Sequence, residues 1–253
     1  MAEPILKALL FDVFGTVVDW RTSIVREGEA FGRAHGIGDV DWVAFADAWR
    51  GLYQPSLEEV RSGRAPFRQL DDLHRMSLER LLGERGIKGI AEAELDRFAR
   101  AWHRLDPWPD SVAGLARLKR KYILATCSNG NVALMVNLAK HANLPWDAIL
   151  GAEPARQFKP LPVVYLTSCQ WLRLEPAECV MVAAHRSDLA AAAACGLKTA
   201  HVPRPLEYGL GRKPDPGAEP RARTDVPRAD VPRAERFDFE AKDFNALAER
   251  LGC

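Results

Sequence analysis

The stretch "LLFDVFGTVVDW", residues 9–20, begins as an apolar run and stops at a bare carboxylate, Asp12. Two positions later, where a second acid would complete a pair, stands Phe14. The run belongs to a series: "ILKALLF" (5–11), "YILATC" (122–127), "CVMVAA" (179–184) and "KTAHV" (198–202), each followed by polar or glycine residues. Short continuous apolar runs are what parallel strands covered on both faces require. Between them lie helix-like segments, "SVAGLARLKRK" (111–121), "NVALMVNLAKHA" (131–142), "VVYLTSCQWLRL" (163–174) and "SDLAAAAACG" (187–196). In the last, Ser187 or Asp188 is placed to cap the helix and Gly196 to stop it. Alternating strand and helix predict an α/β fold, a doubly wound parallel sheet with a Rossmann-like core.

Residues 18–104 break that rhythm. "TSIVREGEAFGRAHG", "WVAFADAWRGLYQ", "FRQLDDLHRMSLERLLGERG" and "AELDRFARAWHRL" carry helical periodicity with no clear strand among them. A helical cap subdomain over 18–104 is therefore expected, inserted into a core made of 1–17 and 105–253. Trp20, Trp42, Trp49 and Trp102 fall in the cap and read as its core anchors. Residues 204–236, rich in proline, arginine and glycine and containing "DVPRADVPRAE", read as an exposed low-complexity loop within the core. The closing "FDFEAKDFNALAERL" reads as a last short strand and a surface helix.

Composition narrows the function. The 253 residues carry a formal net charge of +1, so no global field points to nucleic acid or to an anionic membrane. In the 204–236 loop arginines alternate with acids, which also argues against nucleic acid. Five cysteines, an odd number without C-x-x-C spacing, fit a reducing compartment and neither a disulfide framework nor a zinc ribbon. No apolar stretch is long enough for a membrane span or a signal peptide, so a cytoplasmic protein is expected. Neither a glycine-rich nucleotide loop nor an H-E-x-x-H motif is present, so no cofactor and no metal are expected.

In an open parallel sheet, ligands bind outside the carboxyl ends of the strands. That rule brings together Asp12 after the first strand, Ser128 and Asn129 after "YILATC", and His185 to Asp188 after "CVMVAA". Lys159 lies in "QFKPLP", whose prolines keep the backbone extended. Taken singly, each has a plain reading: a strand-end turn residue, a Ser-Asn-Gly turn, a helix cap and a solvated lysine. Their joint placement on one edge is what makes a site.

"FDVFGTVVDW", "CSNGN", "FKPLPVVY" and "VAAHRSDLAAAAACGLKTAHV" together resemble the haloacid dehalogenase superfamily, and within it the L-2-haloacid dehalogenases. The resemblance runs over nearly all of the core, in order, with the cap inserted after the first motif. It implies that Asp12 attacks a halogen-bearing carbon, halide leaves, and water hydrolyses the resulting aspartyl ester. An L-2-haloacid would then yield a D-2-hydroxy acid. Phosphatases of the superfamily usually carry an acid where this chain has Phe14, to protonate the departing alcohol. A halide leaves without a proton, so Phe14 suits carbon–halogen cleavage.

The resemblance also assigns roles. Lys159 keeps Asp12 ionised, and Ser128, Asn129 and nearby backbone N–H groups receive the substrate carboxylate. Arg50, otherwise a surface helix residue, takes the halide. Tyr165 lines the site or is a half-buried helix tyrosine, and Phe14 packs against substrate. At the third motif many relatives have asparagine where this chain has His185 and an aromatic where it has Ser187, while Asp188 is kept. His185 could help Asp188 activate the hydrolytic water, serve a structural role, or line the pocket; Glu27 is a weak candidate for its partner. A magnesium-dependent phosphatase using Asp12 and Asp188, and a non-enzymatic binding protein, are the alternatives. The expected partners are a small haloacid, halide and a second copy of the chain in a homodimer.

Overall fold

Strand β1 (Ala8–Phe11) is buried along its whole length and forms the centre of the sheet. In the computed structural model, which describes residues 5–210 and 237–253, its side chains alternate between two cores. Leu9 and Phe11 enter one hydrophobic cluster, Ala8 and Leu10 the other. This period of two, with both faces covered, is why the run is apolar throughout.

The chain continues through β2 (Val18–Asp19) and the cap helices α1 (Trp20–His35), α2 (Trp42–Gly51), α3 (Tyr53–Arg61), α4 (Leu70–Glu84) and α5 (Glu92–Ala99). A 3-10 turn at Arg100–His103 leads to β3 (Asp106–Pro107). The core resumes with α6 (Ser111–Leu118), β4 (Ile123–Ser128), α7 (Val132–Ala142), β5 (Ala148–Gly151), α8 (Ala152–Ala155) and α9 (Pro162–Trp171). After a second 3-10 turn it closes with β6 (Cys179–Ala183), α10 (Arg186–Ala194), β7 (Lys198–His201), β8 (Phe239–Glu240) and α11 (Phe244–Arg250). The six-stranded sheet has the order β5-β4-β1-β6-β7-β8, with every pairing parallel. Phe11 lies opposite Thr126 and Val182, so the residues that follow β1, β4 and β6 emerge at one edge.

Strands β2 and β3 pair antiparallel, Val18 opposite Pro107 and Asp19 opposite Asp106, and so bring the two ends of the helical insertion together. Asp19 also caps α1, accepting the Thr22 N–H at 3.0 Å. Inside the cap Phe31 stacks on Phe98 at 4.3 Å, with Trp42, Phe45 and Trp49 around them. Trp42 lies so close to α1 that a Cβ on Gly28 would come 2.5 Å from its ring. The four cap tryptophans are all buried.

Four details differ from expectation. The segment over 18–104 does contain a strand, β2, two residues long. Strand β5 carries only "AILG" behind a Pro-Trp-Asp turn, too short for its periodicity to stand out. Helix α10 is preceded by His185 at its N-cap, without a side-chain capping bond, while Ser187 and Asp188 lie inside its first turn. Finally, 204–210 is not a uniformly exposed loop: Arg204 forks onto Asp110 at 2.6 and 2.9 Å, and Glu207 is 4% exposed. The remainder of that expected loop, 211–236, lies outside the described residues.

Candidate active site

Asp12 follows β1 at the carboxyl edge of the sheet, its N–H donating to Val182 O at 3.0 Å. Its Oδ1 accepts from Lys159 Nζ at 2.9 Å. Its Oδ2 accepts from Thr16 Oγ1 at 2.6 Å and from His185 Nδ1 at 3.0 Å. Burial alone would raise this carboxyl, but Lys159, His185 and Thr16 outweigh it and hold Asp12 well below the usual carboxylate range. The aspartate is therefore a permanent anion at neutral pH.

Lys159 is buried, and its Nζ also reaches Asp188 Oδ2 at 2.5 Å. Burial would lower a lysine, yet Asp12 and Asp188 drive it upward, so it stays an ammonium. Asp188, in the first turn of α10, takes its other contact from Tyr165 Oη at 2.5 Å. Burial and the Asp12 charge push Asp188 above its ordinary value, against the pull of Lys159. Tyr165 is thus buried behind Asp188 and holds it, rather than lining the cavity as expected. Ser128 is likewise fully buried and outside the cavity wall; its Oγ accepts the Gly130 N–H at 3.1 Å and shapes the turn after β4. Asn129 does reach the cavity, and its amide joins Tyr53 Oη at 2.9 Å to Lys159 N at 2.8 Å.

His185 stands between two carboxylates. Its Nδ1 faces Asp12, and its Nε2 faces Glu207 Oε2 at 3.0 Å and Oε1 at 3.2 Å. Only the doubly protonated ring can donate on both sides. Burial opposes the charge, but Glu207 and Asp12 raise the imidazole well above its ordinary value. Glu207 is itself lowered, burial being outweighed mainly by His185. It also accepts from Trp20 Nε1 at 3.0 Å, and it packs so tightly on Gly15 that a Cβ there would come 2.2 Å from Oε1. Gly15 has φ +82°, so the aromatic-Gly-Thr turn needs glycine for its backbone as well as for this contact. Glu27, the sequence candidate for a His185 partner, is instead paired with Arg104 at 2.5 Å.

Sequence reasoning missed Thr16 and Tyr53, and above all Glu207, the second partner of His185. Glu207 comes six positions after β7 ends, at the same carboxyl edge as the other groups, and the edge rule applied to that strand would have included it. The surrounding proline and arginine hid the signal.

Opposite these groups the cap supplies Arg50 and Tyr53. Arg50 lies over the Tyr53 ring at 4.1 Å and the Trp20 ring at 5.5 Å. Its Nη1 is buried and has no hydrogen-bond partner among the described residues. Phe14 is wedged edge-on against Trp102 at 5.9 Å, and also lines the cavity. The cavity measures about 640 Å³. Asp12, Glu58 and Asp188 line it together with Arg50, Arg61, Lys159 and His185, and one Arg50 guanidinium nitrogen is left over for an anion.

No described cluster of histidine, cysteine and acidic residues could hold a metal ion. Each oxygen of Asp12 and of Asp188 already accepts from Lys159, His185, Thr16 or Tyr165.

Comparison with known proteins finds matches among haloacid dehalogenase-like hydrolases. Residues 6–196 match the model of haloacid dehalogenase-like hydrolases. The (S)-2-haloacid dehalogenase of Xanthobacter autotrophicus is 31% identical over 216 residues, 82% of this chain and 79% of that protein. A solved L-2-haloacid dehalogenase is 46% identical with a TM-score of 0.86, over 98% of this chain and 99% of the other. A solved defluorinating L-2-haloacid dehalogenase is 43% identical with a TM-score of 0.88, over 98% and 96%.

Proposed function

The chain belongs to the haloacid dehalogenase-like hydrolases, and on that basis we propose that it hydrolyses small L-2-haloacids to D-2-hydroxy acids and halide. One observation carries the reading: an ionised Asp12 shares its cavity with Arg50, whose Nη1 is buried and unpartnered, while Phe14 stands where a proton donor would be needed for an alcohol.

Asp12, nucleophilic because it is anionic and partly desolvated, attacks the halogen-bearing carbon from the side opposite the halide. The carbon–halogen bond breaks with its electron pair on the halide, which Arg50 receives as a diffuse cation suited to a large anion. Asn129 and the backbone N–H groups around it take the substrate carboxylate. Ester formation removes the Asp12 charge, and with it one of the two carboxylates that hold His185 protonated. The imidazole pKa falls at that step. Paired with Glu207, His185 gives up its Nδ1 proton to solvent, and the freed nitrogen then accepts one from the water that attacks the Asp12 carbonyl. The tetrahedral centre collapses with cleavage of its bond to the substrate oxygen, which takes the remaining hydroxyl proton and leaves as the 2-hydroxy acid. That restores the Asp12 carboxylate and the imidazolium. Asp188, kept in place by Lys159 and Tyr165, balances the lysine charge throughout. The phosphatase alternative has little support, because the carboxylate oxygens that a divalent cation would need are engaged by the protein's own donors.

The protein further reads as a cytoplasmic homodimer with a two-part chain, a cap over 18–104 and a core over 1–17 and 105–253. The free cysteines Cys127, Cys169, Cys179, Cys195 and Cys253 fit a reducing compartment. Val163, Leu166 and Trp171, exposed on α9, offer an apolar face to a second copy; light scattering would measure the mass in solution.

The deciding assay is halide release after EDTA treatment from L- and D-2-chloropropionate, chloroacetate and fluoroacetate, with Asp12→Asn as control. Release from the L isomer, absent from the variant, is expected. Silence on all four with a folded protein, or turnover of a phosphate ester with Mg²⁺, overturns the proposal.

A further inference from the structure

Lys159 keeps the nucleophile charged, yet its own placement is decided from the cap. Helix α3 spans Tyr53–Arg61, and residues 53, 57 and 61 share one face because four residues make slightly more than a turn. Leu57 is fully buried in the middle of that face. At one end Tyr53 Oη accepts from Asn129 Nδ2 at 2.9 Å, and the same amide's Oδ1 accepts the Lys159 N–H at 2.8 Å. At the other end Arg61 Nη1 donates to Lys159 O at 2.9 Å. Both peptide groups of Lys159 are therefore tied to a single cap helix, one directly and one through Asn129.

Arg61 is built for this. Its side chain is only 13% exposed, and Nε is fixed by Glu58 at 3.0 Å while both Nη atoms contact Gln54 at 3.2 Å. A surface arginine paired along its own helix would gain little from those contacts. Here they aim one N–H at a backbone carbonyl across the cap–core boundary.

We infer that Arg61 and Tyr53 are positioning residues through which helix α3 sets the distance between Lys159 and Asp12, so that the nucleophile is fully activated only with the cap seated. Opening the cap withdraws both ties, lets the lysine drift from Asp12, and leaves the carboxylate less strongly held as an anion. The role in turnover rests on the dehalogenase reading; the role in holding Asp12 does not.

The test uses the full chain with Arg61→Met, Arg61→Lys and Tyr53→Phe, each checked by thermal melting. One readout is the Asp12 carboxyl titration, followed by NMR with labelled aspartate. Asp12 also faces His185 and Thr16, with Asp188 and Arg50 near, and none of these changes. Arg61→Met and Tyr53→Phe should both move the Asp12 titration to higher pH, although Tyr53→Phe alters no charge; Arg61→Lys, which keeps a donor of similar reach, should restore most of it. The second readout is halide release: kcat should fall on the order of 10- to 100-fold, with KM changing much less, as for a displaced catalytic group. An Asp12 titration unmoved in folded Arg61→Met and Tyr53→Phe overturns the inference. A titration that moves while even the wild-type protein releases no halide upholds the positioning role and overturns the dehalogenase reading instead.

Discussion

Glu207 holds the Nε2 side of His185 at 3.0 Å while Asp12 holds the Nδ1 side at 3.0 Å, so a carboxylate from the segment after β7 reaches the nucleophile through a single imidazole. The ring is cationic in the resting enzyme and is released from one of its two anions when Asp12 becomes an ester. Glu207→Gln keeps an acceptor but removes the second anion. The imidazole should then titrate at lower pH, visible in its Cε1–H resonance. Ester hydrolysis should slow by about 10²-fold, typical of losing assistance to a general base. Ester formation should survive, so the Asp12 adduct should accumulate and be detected by mass. An adduct that turns over as fast as in the wild type would remove His185 and Glu207 from the hydrolytic step.

The same pair makes a prediction about stability. The His185 pKa is raised on folding, so its contribution is complete below the unfolded value near 6.5 and is lost only as pH climbs through the raised folded value. Glu207 is lowered, so its contribution is complete above the unfolded value near 4.5 and is lost as pH falls through the lower folded value. The wild type should therefore exceed Glu207→Gln in melting temperature most clearly between about pH 5 and 7, where both members are charged. The gap should narrow on the alkaline side as His185 deprotonates. Melts across pH check this, and a gap that is constant from pH 5 to 10 contradicts the charge pairing.

Arg50 offers a direct probe of the leaving-group site. A ligand that binds only the folded protein raises its melting temperature by mass action. Bromide and chloride should stabilise the wild type in proportion to their affinity. Arg50→Met, which keeps an apolar stem but removes the guanidinium that lies over Tyr53, should lose that response. It should also slow ester formation by about 10²-fold or more, the usual scale for removing a group that stabilises developing charge. Halide stabilisation persisting in Arg50→Met would place the anion elsewhere.

Much of this site was legible in the sequence, and the physical reason is uniform. Asp12, Asn129, Lys159, His185 and Asp188 all follow apolar runs or sit in an extended proline loop, so one rule about strand ends gathers them without any knowledge of side-chain contacts. That rule locates a residue at an edge but does not say which way its side chain turns. Ser128 and Tyr165 therefore passed as cavity residues, although one braces a turn and the other lies behind Asp188. Glu207 was obscured for a different reason: its segment looks like loop by composition, and only the tertiary contacts with Trp20, Gly15 and His185 reveal it as buried. Strand β5 was missed because four residues carry too little periodicity, whereas α1, α2, α4 and α5, each of eight residues or more, announced themselves; α3, with Pro55 in its first turn, did not.

Phe14 marks the division from phosphate chemistry, and Phe14→Asp tests whether that one residue is enough. The ring is buried against Trp102 and His74, and burial holds His74 down at about 3, so that imidazole is neutral and offers no cation beside the ring. An aspartate there would lie in an apolar wall, at a cost of about 3–5 kcal/mol by analogy with an unpaired buried charge. It would also add a carboxylate to a site where Lys159 and His185 are already matched by Asp12, Asp188 and Glu207. Metal binding would still have to displace Lys159, Thr16 and His185 from Asp12. The variant should therefore melt at lower temperature, lose halide release, and gain no turnover of a generic phosphate ester with Mg²⁺. Robust phosphatase activity from this single change would mean that Lys159 and His185 yield to a cation more readily than their contacts with Asp12 imply, and that Phe14 alone separates the two chemistries.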